Sequence, residues 1–213
     1  MNSVVTTLTT IAQFSDDGAK RYLLQKEWDD SKPTLAVVMM APSEASGVAL
    51  DSTTLLVLNN ASRLGYGRVS IVNLFATLND FALKEAEAED QENVKTILSA
   101  AQNADAVVYA PGVGKAKNKA FQQRQEQVLA ALHPIEDKLY CLCDANGKAR
   151  LQHPLSPAVR QWHLSRLSIS ELISVSQVPT TVKKETITTS KEKKHRGRPA
   201  KESTAPMLNE TVL

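Results

Sequence analysis

One stretch restricts the fold more than any other: LAVVMMAPSEASGVALDSTTLLVLNNASRLGYGRVSIVNLFAT, residues 35–77. An apolar run from Leu35 to Met40 stops at Ala41-Pro42-Ser43. A polar loop and a helical pattern follow, then Gly65-Tyr66-Gly67, then a second apolar run from Val69 to Leu74. Short runs rich in Val and Ile, alternating with amphipathic segments, are the signature of βαβ units in a parallel sheet. Leu35–Met40 is apolar at every position, as a central strand covered on both faces must be. Ligands of such sheets lie outside the carboxyl ends of the strands. Here those ends carry Pro42, Ser43, Glu44 and Asn73, which makes these four residues the first candidates for a site.

The same periodicities extend the plan. Asp51-Ser52 offers an N-cap, and Val57, Leu58, Ala61 and Leu64 then share one helical face. Gly65 suits a left-handed helix end. Val94, Ile97, Leu98 and Ala101 mark a second helix, and Phe121, Val128, Leu129 and Leu132 a third. Ala106–Ala110 and Leu139–Cys143 read as two further strands, and Lys148–Gln152 as a short returning one. Arg21–Leu24 reads as a strand covering an edge of the sheet, and residues 1–14 as a frayed or edge segment. The expected architecture is a three-layer α/β sandwich with a mainly parallel central sheet over residues 20–165. Residues 1–19 precede it. A linker and basic tail, residues 166–213, follow, and the core pattern fades from Arg166 onward.

The charge is uneven. Residues 181–213 carry eight basic and four acidic side chains, leaving seventeen basic against nineteen acidic in the first 180 residues. A polar, basic tail with little to bury is expected to be disordered and suits a polyanion. Within it, Lys193-Lys194 precede Arg196-Gly197-Arg198-Pro199, which resembles an AT-hook. A Gly-Arg-Pro core is narrow enough to lie in the minor groove of A·T-rich DNA, where the arginines meet enhanced negative potential. The plain alternative is a solubilising basic tail.

Other motifs are weaker. Gly112-Val113-Gly114-Lys115 lacks the spacing of a phosphate-binding P-loop, leaving at most an anion contact by Lys115. Cys141 and Cys143 alternate along a strand and read as small apolar residues, with no partners for a zinc site. No metal and no cofactor are expected. No run reaches the length of a membrane helix and no secretory leader is evident, so the expectation is a cytoplasmic protein, nucleoid-associated if bacterial.

Arg21-Tyr22, Trp28, Pro42-Ser43, Ala45, Asp51, Thr53, Gly65-Tyr66-Gly67, Val72-Asn73-Leu74-Phe75-Ala76 and His153-Pro154-Leu155 occur in order. Together they resemble the bacterial and phage family catalogued as domain of unknown function 1643, over roughly residues 20–160. One position departs: Ala41 stands where that family has Asn. The order Ala41-Pro42-Ser43-Glu44, Ile71-Val72-Asn73, His153-Pro154-Leu155-Ser156-Pro157 is also similar to the three strand-end motifs of uracil-DNA glycosylases. That resemblance implies catalytic roles for Glu44 and His153. It implies substrate contacts by Pro42, Ser43 and Asn73, with Asn73 reading the edge of a flipped base and His153 stabilising charge on the departing one. Bland readings stand beside it, since Ser and Glu before a helix can simply cap it and Asn at a strand end can bond its own backbone. The sequence thus points to a DNA-associated protein with base-processing chemistry. The alternatives are a non-enzymatic phage or mobile-element module for DNA or nucleoprotein, and an enzyme acting on a small nucleotide.

Overall fold

The computed structural model describes residues 1–43, 47–78, 90–112, 118–147, 151–170 and 172. These residues belong to one compact unit, residues 1–177; a second unit, residues 178–213, lies outside the description. The fold is mixed α/β, with a seven-stranded sheet and three helices. The strands are β1 Thr9–Phe14, β2 Arg21–Glu27, β3 Thr34–Met39, β4 Arg68–Asn73, β5 Ala106–Tyr109, β6 Leu139–Cys143 and β7 His163–Arg166. The helices are α1 Ser52–Arg63, α2 Gln91–Gln102 and α3 Lys119–Leu132.

The strand order is β1-β2-β4-β3-β5-β6-β7. The four middle strands are parallel, with Leu35 opposite Val69 on one side and Ala106 on the other. The expectation of a mainly parallel sheet holds for this centre only. β1, β2 and β7 attach antiparallel, so the sheet is mixed. The physical reason lies in the connections: β1 returns into β2 by a short turn, which can only join antiparallel neighbours, whereas the parallel strands are linked through helices.

Helices lie on both faces. Val57 and Ala61 of α1 pack on Leu35, Val37, Val69, Ile71 and Val108. Ile97 and Ala101 of α2, with Phe121, Val128 and Leu129 of α3, pack on Ala36, Val38, Val72 and Val107. Alternate residues of β3 thus serve opposite layers, which is why its sequence is apolar throughout. The helix starts follow their caps: Asp51 Oδ1 accepts from the Thr54 amide at 2.6 Å, Asp90 Oδ1 from Asn93 at 3.1 Å, and Asn118 Oδ1 from Phe121 at 2.9 Å.

Two expectations fail at the carboxyl end. The strand returning along β6 is His163–Arg166, not Lys148–Gln152; Leu151 and Gln152 are outside any strand, and 148–150 lie outside the described residues. The register is fixed by burial just before it, where Trp162 is 1% exposed against the α1 layer. Asn60 and Arg63 of α1 hold this segment, through Asn60 Oδ1 to the Trp162 amide at 2.9 Å and Arg63 Nη2 to the Trp162 carbonyl at 2.6 Å. The core also continues past Arg166, since Leu167 and Ile169 are buried. Isolated apolar residues among Ser and His carried no readable period. Among the described residues no helix is long and apolar enough to cross a membrane.

Candidate functional site

The connections define where a ligand can enter. β3 leads through α1 on one face to β4. β4 leads through α2 on the other face to β5, and β5 leads on to α3 on that second face. Adjacent strands β3 and β5 therefore send their chains to opposite faces, which opens the crevice at a topological switch point. Its rim is built by Met40–Ser43 after β3 and by Ala110–Gly112 after β5.

Four residues stand around this rim: Arg21, Ser43, Asp51 and His153. Arg21, 1% exposed at the start of β2, donates from Nη1 to the Ser43 carbonyl at 3.0 Å. Burial pulls the guanidinium pKa down, and the charge of Asp51 opposes that shift. Burial likewise pushes Asp51 up, but the Ser43 hydroxyl and the Thr54 and Thr53 groups outweigh it. The carboxyl stays below its usual range and ionised near neutrality. Its Oδ2 is buried with no hydrogen-bond partner among the described residues.

His153 closes the crevice from above. A β-carbon on Gly112 would lie 3.2 Å from that of His153, so the loop after β5 and the His153 loop are in direct contact. The Leu155 amide donates to His153 Nδ1 at 3.2 Å. With Nδ1 accepting, the neutral ring carries its proton on Nε2. Burial lowers the His153 pKa and Asp51 pulls it back up, so the two groups sense each other across the crevice.

Asn73 ends β4 opposite Met39 of β3. It alternates with Val69 and Ile71 and so shares the α1 face of the sheet. It is 1% exposed and its Nδ2 has no hydrogen-bond partner among the described residues, an uncommon state for a buried amide. Its carbonyl accepts from Asn93 Nδ2 at 3.0 Å. On the opposite face, Tyr109 ends β5 fully buried, with its hydroxyl unpartnered among the described residues and its pKa raised by burial.

Of the residues proposed from sequence, Ser43 accepts from Arg21 through its carbonyl, and His153 stands against Gly112. Pro42 lies buried on the same loop, and Asn73 at the neighbouring strand end. Glu44, Lys115, Lys193, Lys194, Arg196, Gly197, Arg198 and Pro199 lie outside the described residues. Sequence reasoning missed Arg21 and treated Asp51 only as a cap. The available signal was that both residues stand among the motif positions already noted. Among the described residues no cluster of His, Cys, Asp or Glu is placed to hold a metal ion.

Another motif resolves as architecture. Tyr66 and Gly65 amides donate to the Ala61 and Ser62 carbonyls at 3.0 and 3.1 Å, with Gly65 at φ 89°, a Schellman end for α1. Gly67 receives the Trp28 and Asp29 amides at 2.9 and 3.2 Å, and a β-carbon there would come within 1.9 Å of the Asp29 carbonyl oxygen. Gly-Tyr-Gly therefore aims β4, and with it Asn73, rather than touching a ligand.

No curated protein and no solved structure matches the chain. A family model does match over residues 21–155, from Arg21 of the buried cluster to two residues past His153, and so spans all four rim residues and Asn73. With more than half of its 213 residues covered, the chain belongs to the family described as Protein of unknown function (DUF1643).

Proposed function

We propose that the strand-end crevice accepts a nucleobase of DNA and hydrolyses its glycosidic bond, in the manner of a uracil-DNA glycosylase. The observation that carries this reading is the buried Nδ2 of Asn73 at the end of β4, without a hydrogen-bond partner among the described residues. A carboxamide fixed in that state is a reader for the hydrogen-bonding edge of a flipped base, because a base that leaves it unpaired loses affinity.

The remaining groups supply a hydrolysis. Water adds to the sugar C1′, the bond from C1′ to the base nitrogen breaks, and its electron pair leaves with the base. Asp51, held ionised, takes the water's proton. The His153 Nε2–H group donates a hydrogen bond to the negative charge on the leaving base, which receives a proton on release. Glu44 on the same loop is a second carboxylate for the water. The basic tail, through Arg196 and Arg198, holds A·T-rich duplex.

The test is release of free base from duplex and single-stranded DNA carrying uracil, mismatched or modified bases. Asn73→Ala is expected to remove base selection, and His153→Ala to slow release on the order of 100-fold. Substituting Ala for both Arg196 and Arg198 is expected to remove an A·T preference that weakens with salt. Ala41, where the family has Asn, favours a second reading, a non-enzymatic module for DNA or nucleoprotein with a vestigial pocket. DNA binding without release of any base selects it. Absence of DNA binding at low salt rejects both.

A further inference from the structure

We infer that β1 is a self-association edge, through which two copies of this chain join their sheets about a twofold axis. The two ends of the sheet are unlike. β7 is four residues long and carries His163 and Arg166, with Arg166 4.7 Å over the Tyr140 ring. Short, charged strands are how proteins protect an exposed edge from pairing.

β1 has none of that protection over most of its length. The first fifteen residues, MNSVVTTLTTIAQFS, contain no charged side chain and no proline. Among the described residues β1 pairs only with β2, leaving its outer backbone groups open. Leu8, Ile11 and Phe14 are 48%, 46% and 42% exposed. A register shift between Gln13 and Phe14 irregularises only its last residue.

The occupant follows from symmetry. In an isologous contact residue i meets j while j meets i. Leu8 and Phe14 stand equally far from Ile11 along the chain. An antiparallel β1–β1 pair centred on Ile11 sets Ile11 against its own copy and Leu8 against Phe14 of the other protomer. Three exposed apolar residues thereby find apolar partners, and no side chain of β1 itself brings a charge into the contact. Ala12 packs against the α1 layer, and Ile11 shares the opposite side with Gln13. Cross-strand apolar pairs directly opposite one another are the units that stabilise such a ladder.

Sedimentation of the full chain over a wide concentration range tests this. The expected result is a species of twice the 23.2 kDa chain mass. Ile11→Lys, which sets two like charges face to face on the axis, is expected to return it to monomer with an unchanged circular dichroism spectrum. Leu55→Lys, at an exposed position on α1, is expected to leave the dimer intact. Should Ile11→Lys misfold, hydrogen exchange of the wild type decides instead, with amides of Thr9–Phe14 gaining protection as concentration rises. A wild type that stays monomeric, or a dimer that survives Ile11→Lys, overturns the inference. Concentration-independent protection, in a monomer, of the β1 amides that face away from β2 also overturns it.

Discussion

Gly112 and His153 are in contact across the mouth of the crevice, close enough that a β-carbon on the glycine would sit 3.2 Å from that of the histidine. Gly112 also adopts φ 83°, a conformation that side chains resist. Gly112→Ala therefore combines backbone strain with displacement of His153. A loss of more than about 1 kcal/mol in unfolding free energy is expected. The His153 ring signals in a proton NMR spectrum are expected to shift with it. A variant with wild-type stability and unmoved His153 signals would show that the two loops are not pressed together.

His153 also gives stability a pH dependence of known sign. Burial holds its folded pKa below the ordinary 6.5. As pH falls through that ordinary value the unfolded chain takes up a proton before the folded chain does, so folding weakens with falling pH. The contribution is complete above about pH 6.5 and is lost toward the lower folded pKa. The denaturation midpoint should therefore fall more steeply with falling pH in wild type than in His153→Gln below about pH 6.5, and the two should run parallel above it. Parallel curves through this window would refute the assignment.

The two glycines before β4 separate conformational need from close packing. Gly65 has open space around its α-carbon and only its positive φ to protect, so Gly65→Ala is expected to cost about 1 kcal/mol. Gly67 abuts the Asp29 carbonyl, and Gly67→Ala forces backbone apart. A larger loss, roughly 1–3 kcal/mol, is expected in urea unfolding. The opposite ranking would mean that the turn at Asp29 yields freely.

Period and punctuation made the centre of this fold legible. Leu35–Met40 and Val69–Leu74 declare buried strands because each position faces one of two helical layers. Asp51 and Gly65 declare the ends of α1 because orphan amides and carbonyls need them. The amino-terminal strands were legible too, but the carboxyl flank was not. His163–Arg166 has no apolar alternation of its own, and its place is set by the burial of Trp162 and by Asn60, about a hundred residues away. The site was half legible for the same reason. Ser43, Asn73 and His153 stand in visible motifs at strand ends. The charge relation of Arg21, Asp51 and His153 exists only once β2 lies beside β4 and Gly112 meets the His153 loop.

Asp51 holds two positions at once, and its substitutions can be made to separate them. As N-cap of α1 it accepts from the Thr54 amide, a role that Asn fulfils about as well as Asp. As an ionised group it raises the His153 pKa and offsets the burial of Arg21. Asp51→Asn keeps the cap and removes the charge, whereas Asp51→Ala removes both. Asp51→Ala is expected to lose about 1 kcal/mol more than Asp51→Asn, the usual value of a capping side chain. Both are expected to lower the His153 pKa, because burial then acts on the imidazole without an opposing charge. The measurement is an NMR titration of the His153 ring in the three proteins, with urea unfolding alongside. A His153 pKa unchanged by Asp51→Asn would reduce Asp51 to a helix cap and remove the carboxylate from the crevice chemistry. Equal stability of the Asn and Ala variants would instead place its whole contribution in the charge.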